Sequence, residues 1–115
     1  MQKSTITVDV YLDPNKVPDR IMWKASDSSV GEPEPAKAMM LALWDGAEKT
    51  AMRIDLWTKD MMVDEMADFY FQMMMTMADT YERATHQQEL VNDLKQFAHQ
   101  FHKKFTEIQI KEEKK

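Results

Sequence analysis

The hydrophobic period changes once along this chain, and that change constrains its fold more than any other feature. Up to about residue 58, apolar residues alternate with polar ones, the period of a half-buried strand. From about residue 62 they recur every three or four positions, the period of a helix face. A chain that is strands first and helices second reads as α+β. We expect a four-stranded antiparallel sheet, a meander, followed by two helices packed on one face of it.

The strands are expected between about residues 5 and 58. Ile6, Val8, Val10 and Leu12 oppose Thr5, Thr7, Asp9 and Tyr11. Asp13 to Asp19, with two prolines, is turn chemistry. Residues 20–26 form the second strand, with Ile21, Trp23 and Ala25 opposed to Met22 and Lys24. Residues 27–35 hold Gly31, Pro33 and Pro35 and read as a loop with a mobile tip. Residues 37–44 are apolar at nearly every position, which suggests a central strand. Asp45-Gly46 is a hairpin signal. Met52, Ile54 and Leu56 then alternate with Arg53, Asp55 and Trp57.

The helices are expected between about residues 62 and 110, ahead of a frayed tail, 111–115. The first, about 62–84, carries Val63, Met66, Phe69, Tyr70, Met73, Met77 and Tyr81 on one stripe. Thr85 reads as the cap of the second, with Gln88 at the box position. Leu90, Leu94, Phe97, Phe101, Phe105 and Ile108 form its stripe. At 115 residues the whole is expected to be a single domain.

Catalytic chemistry finds little to work with. The chain has no cysteine, which removes disulfides, thiolate metal sites and thiol nucleophiles. Its two glycines form no phosphate-cradling loop, and no serine sits in a nucleophile elbow. Asp55, Asp60, Asp64, Glu65 and Asp68 could gather a divalent ion, but carboxylates at a helix start have an ordinary role opposite the helix dipole. His99 and His102 could share a metal, yet both lie opposite the apolar stripe and should face solvent. His86 stands alone at a helix start. These features point to no enzyme, no cofactor and no metal.

The formal net charge of −5 disfavours nucleic acid and anionic membrane as partners. No apolar run reaches the roughly 20 residues of a membrane span, and none follows Lys3 at signal-peptide length. A cytoplasmic location is expected. The 12 methionines suit either core filling or an adaptable binding surface.

Surfaces are more informative. The outer sheet face should hold Tyr11, Met22, Arg53, Asp55 and Trp57, with Trp44 and Met40 beside them. Large aromatics near arginine are what protein interfaces favour. Phe71 and Met75 interrupt a polar stripe of the first helix, so either the second helix covers them or a partner does. The candidate partner surface is therefore Tyr11, Trp44, Arg53, Asp55, Trp57, Phe71 and Met75. A homodimer is open through Phe71 and Met75 or through the sheet edges. The alternative is a small apolar ligand held between sheet and helices.

Specific stretches carry a family resemblance. They are Lys37-Ala38-Met39-Met40, Trp44-Asp45, the run from Ile54 to Met61, Val63-Asp64-Glu65-Met66, Met77-Ala78-Asp79-Thr80 and Arg83-Ala84-Thr85. The chain resembles the gliding-motility protein C (GldC) family of gliding Bacteroidota over most of residues 4–85. Beyond that the second helix matches in character alone. Met62 stands where the family would have proline. The resemblance implies a small, soluble, cytoplasmic protein with an accessory role in gliding, a process rather than a mechanism. Together with the aromatic outer sheet face it leads to the expectation of a scaffold acting by protein–protein contact. It brings no catalytic residues.

Overall fold

A computed structural model describes residues 1–26 and 31–113. Five strands come first: β1 (Ile6–Leu12), β2 (Pro18–Ala25), β3 (Glu34–Ala36), β4 (Ala38–Asp45) and β5 (Thr50–Trp57). Helices α1 (Val63–Thr85) and α2 (Gln88–Glu113) follow. The α+β class and the order of elements are as expected. The chain divides into two compact units, Met1–Met61 and Met62–Lys115.

The single four-stranded sheet is not what forms. Among the described residues there are two antiparallel sheets, one of three strands in the order β1-β2-β3 and one of two, β4-β5. The extra strand, β3, lies inside the stretch expected to be a loop; residues 27–30 of that stretch lie outside the described residues. Pro35 sits in β3 opposite Met22. Proline has no N–H to donate, which suits the edge of a sheet. The chain bends at Lys37, and there its pairing changes from β2 to β5. The Lys37 carbonyl accepts the Thr58 amide at 2.8 Å. The Lys59 amide donates to the Pro18 carbonyl at 3.3 Å, so the end of β5 is tied to the start of β2.

The central position expected for β4 is also not observed. It pairs with β5 alone among the described residues. Its apolar residues on both faces therefore mark exposure rather than enclosure: Leu41, Leu43 and Trp44 are all exposed.

Within the three-stranded sheet the expected alternation holds. Ile6, Val8 and Val10 stand opposite Ala25, Trp23 and Ile21, so these six side chains share one face. Ile21, on the middle strand, is 1% exposed and is the largest buried side chain of the strand unit. The register shifts between Tyr11 and Leu12, where β1 enters its turn. In that turn Asp13 Oδ1 accepts the amides of Asn15 (2.8 Å) and Val17 (2.9 Å).

The helical unit is an αα-hairpin with a two-residue connection, His86-Gln87. Met62 is the N-cap of α1, with extended backbone (φ −87, ψ 158). Its side chain offers no capping oxygen, but its amide donates to Glu65 Oε1 at 3.2 Å. Thr85 is not the cap of α2. It closes α1, its hydroxyl donating to the Tyr81 carbonyl at 2.8 Å and accepting the Gln87 amide at 3.2 Å. His86 ends α1 in the left-handed region (φ 58), its amide donating to the Glu82 carbonyl.

The seam between the helices is built on small residues. Ala67, Ala78, Val91 and Ala98 are the buried positions. Alanine has almost no side chain to keep two backbones apart, so the helices close on these residues. Much of the larger apolar stripe (Val63, Tyr70, Met77, Tyr81, Leu90, Phe97 and Ile108) is exposed.

Candidate functional site

The β4–β5 register decides which candidate residues meet. Ala38 stands opposite Trp57, Met40 opposite Asp55, Ala42 opposite Arg53 and Trp44 opposite Ala51. Directly opposed residues project from the same face. Trp44, Arg53, Asp55 and Trp57 thus share one face, with Met40 beside them. An alanine faces Trp44, Arg53 and Trp57 in turn, so each large side chain stands uncovered by its cross-strand neighbour. Trp44 is 68% exposed and Trp57 58% exposed. Between them Arg53 Nη2 lies 3.1 Å from Asp55 Oδ1. The face is two indoles around a solvated ion pair.

The other three candidates lie elsewhere. Tyr11 belongs to the three-stranded sheet, opposite Arg20. The Arg20 guanidinium sits 4.3 Å over the Tyr11 ring, a cation–π contact. Arg20 was missed at the sequence level, although its parity with Met22 placed it on that face. Phe71 and Met75 are half-buried in the helical unit. The Phe71 ring meets His99 at 5.4 Å and His102 at 5.0 Å, so α2 lies against it. Both histidines are exposed, as expected, and their rings flank Phe71.

The acidic residues each have a local partner. Asp55 pairs with Arg53. Asp64 Oδ1 accepts the Glu65 amide at 2.9 Å, as a first-turn carboxylate does. Asp68 lies 3.7 Å from His102 Nε2. Asp60 Oδ1 is 2.7 Å from the Thr58 hydroxyl, which is also 2.9 Å from the Lys37 carbonyl. The Thr58 hydrogen bond holds the Asp60 carboxyl below its usual range. Among the described residues no three histidine or acidic side chains gather as a metal would need.

Sequence reasoning also missed Thr58, which is 2% exposed and the buried polar residue of the strand unit. It sits where β2, β4 and β5 meet, beside a shallow cleft flanked by Arg20, Lys37 and Asp60. Its nearest sequence signal was the Thr-x-Asp spacing at residues 58–60.

Among the described residues no helix is long and apolar enough to cross a membrane. No curated protein and no solved structure matches the chain. A family model described as gliding motility-associated protein GldC-like matches residues 18–107. The match begins at β2 rather than β1 and extends through most of α2, beyond the stretch on which the resemblance rested. It covers well over half of the chain, and the chain belongs to the gliding motility-associated GldC-like family.

Proposed function

We propose that this protein is a non-enzymatic, cytoplasmic accessory protein of gliding motility that acts by capturing a partner protein on the β4–β5 face. The carrying observation is the convergence of Trp44, Arg53, Asp55 and Trp57 on one exposed face. Exposed tryptophan beside arginine is the composition from which interface hot spots are drawn. The process comes from family membership. The cytoplasmic location rests on the sequence pattern and the family resemblance, and the scaffold role on that resemblance together with the exposed aromatic face.

The test is affinity capture of the tagged chain from a gliding cell, followed by mass spectrometry. Trp57→Ala and Arg53→Ala are expected to lose a captured protein by about tenfold or more, the scale of one hot-spot residue. Far-UV dichroism should be unchanged, because both side chains are exposed. Variants that keep every captured protein at wild-type level would overturn the assignment of this face.

A further inference from the structure

β5 has a free edge. Among the described residues it pairs with β4 on one side and with no strand on the other. A bare two-stranded sheet is marginal in water, and further strands sharing an apolar face are one way such a sheet gains independent stability. The apolar face is present. Met39 opposes Leu56, Leu41 opposes Ile54 and Leu43 opposes Met52, so these six side chains share the face opposite the tryptophans. Ile54, at its middle, is 52% exposed.

We infer that β5 pairs antiparallel with β5 of a second copy, in the register centred on Ile54, so that two hairpins join into one four-stranded sheet. The warrant is charge complementarity within the strand itself. An antiparallel self-pairing centred on Ile54 sets Arg53 of each copy opposite Asp55 of the other. It also sets Met52 opposite Leu56 and Ala51 opposite Trp57. Opposite charges and apolar pairs placed directly across strands stabilise a sheet, and like charges in those places destabilise it. A two-fold axis requires a patch that complements itself, and Thr50–Trp57 does so in this register.

The outer edges of β1 and β4 lack this property. β1 carries a single charge, Asp9, which finds no cation in any self-pairing. β4 carries none before its terminal Asp45, so nothing in it selects a register. In β5 the cation and anion already lie 3.1 Å apart on the same face. A second copy brings the same pair in reverse order and turns it into a group of four alternating charges. This inference uses the strand's edge rather than its face, but it shares Arg53 and Asp55 with the partner reading above. The cysteine arm below leaves both residues intact and so separates the two.

The test uses the full chain in two arms. Wild type at about 100 µM should sediment at the mass of two chains. Arg53→Asp and Asp55→Arg alone each place like charges across the axis, and each should raise the dimer dissociation constant by roughly tenfold or more. An equimolar mixture of the two should recover the two-chain species. In the mixed dimer both carboxylates of the first variant face the two guanidinium groups of the second. The second arm exploits the absence of native cysteine. Directly opposed residues lie within disulfide reach, so Ile54→Cys should give a covalent dimer on mild oxidation. Met52→Cys should not, since its two copies would lie about 13 Å apart along the strand. Met52→Cys mixed with Leu56→Cys should cross-link. Wild type sedimenting as one chain overturns the inference. So does a dimer in which the thiol of Ile54→Cys stays reduced, or one that the mixed charge variants fail to restore. A dimer that cross-links through β4 or through the helices instead overturns it as well.

Discussion

Lys49 holds the left-handed backbone conformation (φ 56) that closes the β4–β5 turn, and its amide donates to the Asp45 carbonyl at 2.8 Å. An L-residue with a Cβ is strained there, whereas glycine is not. Gly46 has no positive φ, and a Cβ added to it meets nothing within 4 Å. The Asp-Gly signal thus marked the right turn but the wrong residue of it. Asp45 Oδ1 accepts the amides of Ala47 and Glu48 and sets a longer loop than two residues. Lys49→Gly relieves about 1–2 kcal/mol of left-handed strain against about 0.4–1 kcal/mol of added unfolded-state entropy, so it should stabilise the chain by up to about 1 kcal/mol in urea unfolding, and Gly46→Ala should be neutral or slightly stabilising. Asp13 gives the second prediction at this scale. The Lys59 ammonium, 2.7 Å from its carboxylate, and then the Val17 amide hold the Asp13 carboxyl below its usual range. A lowered folded value means that stability from Asp13 is present above the unfolded value, about 3.9, and is lost as pH falls through the folded one. Asp13→Asn should therefore show a shallower loss of denaturation midpoint below about pH 4 than wild type.

At the scale of elements, the αα-hairpin separates size from burial. The apolar stripes read from periodicity follow the largest residues, yet Ala78 and Ala98 are the fully buried ones. Periodicity finds a stripe; it does not say which of two overlapping stripes the neighbouring helix takes. Flanking contacts support the alanine seam: Tyr70 stacks on Phe101 at 6.5 Å, and Lys95 lies 2.7 Å from Asp79. Ala78→Leu should cost about 1–3 kcal/mol by overpacking, read as a lower urea midpoint at unchanged slope. Met77→Leu, one residue away and exposed, should change the stability by less than about 0.5 kcal/mol.

For the whole molecule, the question is whether the strand unit and the helical unit unfold as one. Trp23, Trp44 and Trp57 all lie in the strand unit, and both helices lie in the other. Tryptophan fluorescence and far-UV dichroism at the helical minimum therefore report on different units. A single domain of 115 residues is expected to give coincident transitions in urea. Transitions separated in midpoint would divide the chain into two domains. The same measurement bears on the β5 pairing, because a dimer makes the midpoint rise with protein concentration.

The sequence by itself determined the α+β class, the place where strands give way to helices, and the parity of each strand. Parity is local: side chains alternate whatever the strand pairs with. Hence Arg53, Asp55 and Trp57 could be grouped before any pairing was known, whereas Trp44, on β4, joins them only through the β4–β5 register. The family was legible too, in the run from Ile54 to Met66. Pairing itself was decided only in the tertiary structure. The bend at Lys37, fastened by Thr58, moves one extended stretch from β2 to β5 and splits the sheet. Those bonds join residues 21 apart, and no local pattern encodes them. The same holds for the alanine seam and for Phe71 against two histidines, contacts that exist only once two helices have met.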